Sequence, residues 1–142
     1  MAAYVFDASV LAALYVSEEG SRAAEAAFAH VIGSEHQVHA PDFALLEVAN
    51  VLWKRVRRSE VSGDAALRAV NDLSATPILF HPTGLLAPQA LVLAIAHGFT
   101  SYDATYVALA TRVGGTVVTN DRRMRQLGAG AGLPVVSPGE MS

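Results

Sequence analysis

Four acidic residues stand where their side chains could share one chemical task. Asp7 and Asp121 each follow a short run of apolar or β-branched residues that predicts a strand. Asp103 lies in the first turn of a predicted helix, and Glu47 heads the polar stripe of an otherwise apolar helix. Because oxygen-rich carboxylate sites select hard cations, a cluster of these acids would favour Mg²⁺ or Mn²⁺. Such a cation could activate water and stabilise charge on a phosphodiester.

Each acid also has an ordinary structural explanation. An Asp after a strand often caps the next helix, which would account for Asp7 and Asp121. Asp103 could form a capping arrangement with Thr100 or favour the helix dipole, and Glu47 could be an exposed residue beside basic neighbours. The residue types leave both interpretations open. Carboxylates brought together without a cation would, however, repel each other and raise some of their pKa values.

Three polar residues lie close to these acids in the sequence and could support such a site. Ser9, Asn50 and Thr119 could orient ligands or water. They could equally be a helix-surface amide and two local backbone caps.

Seven of the ten basic residues form two clusters, in a chain whose net charge is −3. They are Lys54, Arg55, Arg57 and Arg58, and then Arg122, Arg123 and Arg125. Arginine suits bidentate phosphate contact, so Arg122 and Arg123 could bind phosphates next to Asp121. Arg55 or Arg58 could do so from a helix end, or could contact a protein partner. Both clusters also fit solvated helix ends, and the net charge argues against nonspecific coating of nucleic acid.

Short strands that alternate with helices are predicted along the whole chain. The predicted strands span 4–6, 37–40, 77–81, 116–119 and 134–136, and the predicted helices span 10–16, 21–32, 43–58, 65–73, 86–97, 100–112 and 122–127. Asp42 and Asp64 are predicted N-caps, Gly98 is a predicted C-cap, and 128–132 is a predicted loop. This alternation indicates an α/β fold with a parallel sheet, whose ligand sites lie beyond the carboxyl ends of the strands.

The composition limits the class of protein. The 142 residues are 52% hydrophobic and 16% charged and include no cysteine. These values predict one ordered domain over 1–142 and exclude a disulfide scaffold and thiol catalysis. The first residues lack a basic region, and the apolar stretch at 85–99 is interrupted by polar residues. We therefore expect no signal peptide, no membrane span and a cytoplasmic location.

Four segments around the acids resemble the successive motifs of PIN-domain ribonucleases. They read VFDASVL at 5–11, LEVANVL at 46–52, YDATYVALA at 102–110 and VTNDRR at 118–123. Within that family, the small size and these motifs are most similar to VapC-type toxins of toxin–antitoxin pairs. The resemblance extends from residue 4 to about residue 136, although 61–88 matches no motif.

The resemblance implies a Rossmann-like PIN fold with a central parallel sheet of four or five strands and helices on both faces. It implies that Asp7, Glu47, Asp103 and Asp121 are catalytic, converge on Mg²⁺ or Mn²⁺, and cleave RNA endonucleolytically. It also implies a homodimer and a cognate antitoxin that inserts into the active-site groove. The resulting hypothesis is metal-dependent RNA hydrolysis by in-line attack of water. Asp121 would complete the site, contact a second ion or orient that water.

Three alternatives are compatible with the same residues. The chain could be a PIN nuclease of RNA processing rather than a toxin, or a catalytically silent binding or regulatory module. A haloacid-dehalogenase-like phosphotransferase also begins with a strand and an Asp. That family's phosphatases usually need a second acid two residues later, where this chain has Ser9. The RNA that would be cleaved stays open.

Overall fold

The computed structural model describes residues 1–16 and 20–141, which form one five-stranded sheet and seven α-helices. The strands are β1 (Ala3–Phe6), β2 (Gln37–Pro41), β3 (Leu79–His81), β4 (Thr116–Val118) and β5 (Val135–Val136). The helices are α1 (Ala8–Tyr15), α2 (Ser21–Gly33), α3 (Ala44–Arg57), α4 (Gly63–Ala75), α5 (Thr83–His97), α6 (Ser101–Val113) and α7 (Arg122–Gly130). All the strand pairs are parallel, which confirms the predicted α/β class.

The strand order is β3-β2-β1-β4-β5, so the chain reverses its direction of travel across the sheet between β1 and β4. Crossovers between parallel strands are right-handed in nearly all proteins, so the helices of the two halves are expected on opposite faces of the sheet. Ligand sites of open α/β sheets lie outside the carboxyl ends of the strands at such a reversal. Phe6 pairs with Val118 at this end, and Asp7 and Thr119 follow them directly.

The strands on either side of the reversal are buried, which fixes the backbone at this point. Val5 and Phe6 of β1 and Val117 and Val118 of β4 are fully shielded from solvent. Such apolar runs are typical of central parallel strands that are covered on both faces. The polar residues that end these strands are therefore held on a rigid support.

Two of the predicted helix caps are wrong. Asp42 does not cap α3, because its Oδ1 accepts hydrogen bonds from the backbone nitrogen (3.1 Å) and hydroxyl (2.5 Å) of Thr83 at the start of α5. Ser62 rather than Asp64 caps α4, since the Ser62 hydroxyl accepts from the backbone nitrogen of Ala65 at 3.1 Å. Asp64 instead lies in the first turn of α4, where a negative charge favours the helix dipole.

The predicted loop at 128–132 is also partly wrong, because α7 continues to Gly130. Gly128 faces β5 so closely that a Cβ atom there would lie 2.4 Å from Cγ2 of Val135. This glycine therefore allows close packing of α7 on the sheet and does not mark a flexible connection. Gly98, in contrast, ends α5 in the left-handed conformation at φ 72°, which confirms the predicted C-cap.

Helix α5 carries no Asp, Glu, Lys or Arg and buries only one of its sides. Leu85, Leu91, Val92 and Ile95 project outward and are 59%, 54%, 58% and 75% exposed. In the described residues no single helix has the length and apolar character to cross a membrane; α5 and α6 meet that test only together, bent by 114°. The outer side of α5 is thus an apolar surface with no partner in the described part of the chain.

Candidate active site

Asp7 is deeply buried, because β1 ends directly before it and α1 begins directly after it. Its Oδ1 accepts hydrogen bonds from the Ser9 hydroxyl (2.6 Å) and the Val10 backbone nitrogen (3.2 Å), and its Oδ2 accepts from the Thr119 hydroxyl. Only 3% of Asp7 is exposed. Burial raises the pKa of this carboxyl to about 6, and the charge of Asp121 adds to the rise. Asp7 therefore caps α1 and also presents a destabilised carboxylate.

Glu47 is held by a hydrogen bond from Tyr106, a residue whose role was not predicted from the sequence. Tyr106 of α6 is buried and donates its hydroxyl to Oε1 of Glu47 at 2.6 Å. Burial raises the pKa of Glu47, and the negative charges of Asp103 and Asp7 add to the rise. Burial also raises the pKa of Tyr106, so its hydroxyl stays a proton donor. One feature of the sequence could have indicated this role: Tyr106 lies one helical turn after Asp103, on the same side of the helix.

Asp103 and Asp121 each lie at the beginning of a helix. Thr100 caps α6 by accepting a hydrogen bond from the backbone nitrogen of Asp103 at 3.2 Å, as the sequence indicated. The side chain of Asp121 caps α7 by accepting from the backbone nitrogen of Arg123 at 2.9 Å. Burial raises the pKa of Asp103, and the charge of Asp121 acts in the same direction. The capping and functional interpretations of these acids are therefore compatible.

All four acids line one small cavity of about 90 Å³. They reach it from the ends of β1 and β4 and from α3 and α6, together with Ser9, Tyr106 and Met124. In residues 1–16 and 20–141, no three His, Asp or Glu side chains are already arranged to hold a metal ion. The donor set still fits a hard cation, because it is made of carboxylate oxygens. A cation would also favour the ionised form of acids whose pKa values burial has raised.

The supporting polar residues divide between this cavity and its neighbours. Ser9 and Thr119 contact Asp7, and the Ser9 hydroxyl also accepts from the backbone nitrogen of Asn120 at 3.3 Å. Asn50 is exposed and lines an adjoining larger cavity instead. Of the three, Ser9 and Thr119 can fix the orientation of an acid.

The basic residues are placed around the cavity rather than in it. The guanidinium of Arg123 lies 5.6 Å from the ring centre of Phe99, and Arg122 lines a separate cavity of about 230 Å³ beside Asp121. Arg55 is paired with Glu60 at 3.1 Å, which leaves Arg58 as the freer of the two predicted helix-end cations. Arg122, Arg123 and Arg58 can therefore contact extended ligands at the edges of the site.

Replacing Tyr106 tests its link to Glu47. Tyr106→Phe removes the donor of a hydrogen bond to a charged group, which typically stabilises a fold by about 1.5–3 kcal/mol. We expect a loss of unfolding free energy in that range at pH 7, together with a further rise in the pKa of Glu47. Urea unfolding and a carboxyl-carbon NMR titration measure the two effects. Tyr102→Phe, on the exposed side of the same helix, should change neither.

Comparison with known proteins identifies similar folds and sequences. The family model of the PIN domain matches residues 4–130. Ribonuclease VapC3 of Pyrobaculum aerophilum is 40% identical over 124 residues, covering 86% of this chain and 92% of that protein. The crystal structure of PAE2754 from the same organism has a TM-score of 0.72 at 27% identity, covering 98% of this chain and 85% of that one. The crystal structure of VapBC2 from Rickettsia felis, bound to a DNA fragment from their promoter, has a TM-score of 0.63 at 10% identity. The match covers 95% of this chain and 98% of that one.

Proposed function

The chain belongs to the PIN domain family, and on that premise we propose that it is a metal-dependent endoribonuclease of the VapC type. One observation supports this most strongly. Four acids from separate parts of the chain line a single cavity at the point where the strand order reverses. The similarity to Ribonuclease VapC3 supports RNA as the substrate. We propose that residues 1–142 form a single PIN domain.

In this proposal Asp7, Glu47, Asp103 and Asp121 would hold Mg²⁺ or Mn²⁺. When bound, the cation supplies Lewis acidity, which stabilises charge on the phosphodiester and favours ionisation of water. Ser9 and Thr119 orient the carboxylate of Asp7, and Tyr106 orients that of Glu47. Acids with raised pKa values must lose protons to become ligands, so metal affinity should increase with pH.

The reaction would be attack of water on the phosphorus, in line with the departing oxygen. The acids would orient that water, and no covalent intermediate with the protein is required. Attack by water also predicts products without a 2′,3′-cyclic phosphate, which attack by the ribose 2′-hydroxyl would form. The termini of the products therefore report on the mechanism.

Cleavage of a panel of structured RNAs by the purified protein tests this function. The reactions contain Mg²⁺, Mn²⁺ or EDTA, and the product ends are identified by mass spectrometry. We expect discrete fragments with either metal, none in EDTA, and no cyclic phosphate. Fragments that form equally well in EDTA would contradict the proposal.

We further propose that the protein is a toxin neutralised by a cognate antitoxin, in the cytoplasm where its RNA substrate lies. The fold shared with VapBC2 of Rickettsia felis, which is bound with DNA from their promoter, supports this partner. An adjacent small reading frame with a DNA-binding N-terminal region would favour this assignment. A lone gene would favour a PIN nuclease of RNA processing.

The outer side of α5 supports the proposal that two copies associate. Its four large apolar side chains project from a helix without Asp, Glu, Lys or Arg, so a second copy can meet it without placing charges opposite each other. Two-fold dimers bury the same patch on both subunits. The patch is also distinct from the four-acid cavity, so association there leaves the acids accessible.

Ile95→Glu should convert the dimer to a monomer. The substitution places a charge from each copy in an apolar contact, which should weaken association on the order of 100-fold through desolvation and repulsion. Light scattering coupled to size-exclusion chromatography measures the mass. Leu67→Glu, on α4 and also exposed, is the control and should stay dimeric. An unchanged dimer of the Ile95 variant would place the interface elsewhere.

A further inference from the structure

A larger cavity of about 720 Å³ adjoins the four-acid cavity along the outer side of α3. The two cavities share Ala8 and Glu47 as lining residues, so they lie side by side. We call the larger one the α3 groove; its walls include Phe43, Asn50 and Tyr102. A polymer whose phosphodiester lies beside the acids would therefore extend directly into this groove.

An exposed aromatic ring forms one wall of the α3 groove. Tyr102 is 70% exposed and immediately precedes Asp103. Its ring centre lies 6.1 Å from that of Phe43, and Phe43 lies 5.6 Å from Tyr106, which bonds to Glu47. A row of three rings thus leads from the acids to the surface. Proteins use exposed rings in this way to stack unpaired bases.

The far end of the α3 groove is basic. Lys54 lines the groove and also a neighbouring cavity of about 340 Å³, which Trp53, Arg57 and Arg58 complete. The guanidinium of Arg57 lies 4.9 Å from the ring centre of the half-exposed Trp53. Positive charge therefore replaces the negative charge of the acids within the length of α3. A backbone of phosphates can bind along this end by electrostatic attraction.

We propose that the α3 groove binds an unpaired segment of the RNA substrate, with a base stacked on Tyr102 and phosphates on Lys54 and Arg57. This inference rests on the proposed ribonuclease function. The Asn50 amide can hydrogen-bond to a base edge from the same wall. Bases of an RNA duplex are already stacked on each other, so only an unpaired base can use the ring. Leu46, Ala49 and Val51 also line the groove, but its exposed ring, its amide and its cations together favour RNA over a peptide as the occupant.

Binding of labelled RNA in EDTA tests the inference without cleavage. The probes are mixed-sequence single-stranded RNA decamers and the matched duplexes, followed by fluorescence anisotropy. Tyr102→Ala should weaken single-strand binding by roughly 5- to 150-fold, the range of one base–aromatic stack, while Tyr102→Phe should bind normally. Lys54→Gln should lower the slope of log K against log salt by about 0.7. Exposed α4 controls, Leu67→Ala and Arg68→Gln, should change neither value.

The outcomes separate the groove from the enzyme. If the wild-type protein cleaves RNA but Tyr102→Ala binds single strands normally, the groove inference is wrong and the ribonuclease proposal stands. Equal binding of decamers and duplexes would also overturn the inference. If Tyr102→Ala binds RNA normally but no longer co-purifies with a co-expressed antitoxin, the groove binds protein and not RNA. A wild-type protein that neither binds nor cleaves RNA would remove both proposals.

Discussion

Asp103→Asn is expected to reduce RNA cleavage on the order of 10³-fold without unfolding the protein, because the lost charge stabilisation amounts to several kcal/mol of the barrier. The Asp103 carboxyl lines the four-acid cavity, whereas the cap of α6 uses its backbone nitrogen. The amide keeps the shape of the side chain and removes only its charge. Single-turnover cleavage with Mg²⁺ or Mn²⁺ measures the loss, and circular dichroism checks the fold.

Asp64→Asn is the matched control for this experiment. Asp64 occupies the first turn of α4 behind the cap Ser62, just as Asp103 occupies the first turn of α6 behind the cap Thr100. Asp64 is exposed and lies outside the cavity. Its substitution should leave the cleavage rate within about twofold of wild type. Equal rates for the two variants would remove Asp103 from the site.

Asp7→Asn should stabilise the metal-free protein while also reducing cleavage. Burial raises the pKa of Asp7 to about 6 from the ordinary aspartate value of 3.8. At 1.36 kcal/mol for each pKa unit, keeping this carboxyl ionised at pH 7 costs roughly 3 kcal/mol of unfolding free energy. The amide carries no such cost and can keep the contacts of Asp7 with Ser9 and Val10 through its oxygen.

The raised pKa of Asp7 determines how the stability gain of Asp7→Asn changes with pH. Because the folded state holds the Asp7 proton more tightly than the unfolded state, wild type loses stability as pH rises from about 4 through about 6. The stability gain of Asp7→Asn should therefore be small below pH 4 and reach its full size above pH 6. The His39–His81 pair, 2.7 Å apart, has lowered pKa values through burial and opposes this trend. It is present in both proteins and cancels in their difference.

Urea unfolding in EDTA between pH 4 and pH 8 measures this difference. EDTA is needed because a bound cation would itself stabilise the carboxylate. Asp64→Asn, at an exposed position, is the control. If the difference in unfolding free energy between Asp7→Asn and wild type did not depend on pH, ionisation of the Asp7 carboxyl would not be its source.

The strands and helices that carry the acids of the candidate site could be predicted because their sequence signals are local. A buried strand followed by Asp7, and a β-branched strand followed by Thr119 and Asp121, place side chains at the carboxyl edge of a parallel sheet. Glu47, the first residue of the polar stripe of α3, reaches the same edge. These patterns depend on periodicity and chain order, which a single sequence records.

The contacts between distant residues could not be predicted in the same way. The bond from Tyr106 to Glu47 and that from Thr83 to Asp42 join residues far apart in the sequence. Asp42 looked like a local cap because its partner lies at the start of another helix. The Tyr102 ring lies beside α3 only after α3 and α6 are packed, so no local pattern indicates the groove. Tertiary geometry decides which polar groups meet.

Calorimetric titration of Mn²⁺ into the wild-type protein and into Asp103→Asn tests most directly whether the four acids form one cation site. We expect saturable binding to the wild type, stronger at higher pH, and at least roughly tenfold weaker binding to the variant. Thermal unfolding of the same samples should show stabilisation by Mn²⁺ mainly in the wild type. Equal Mn²⁺ affinity of the two proteins would mean that Asp103 is not part of a cation site with the other three acids.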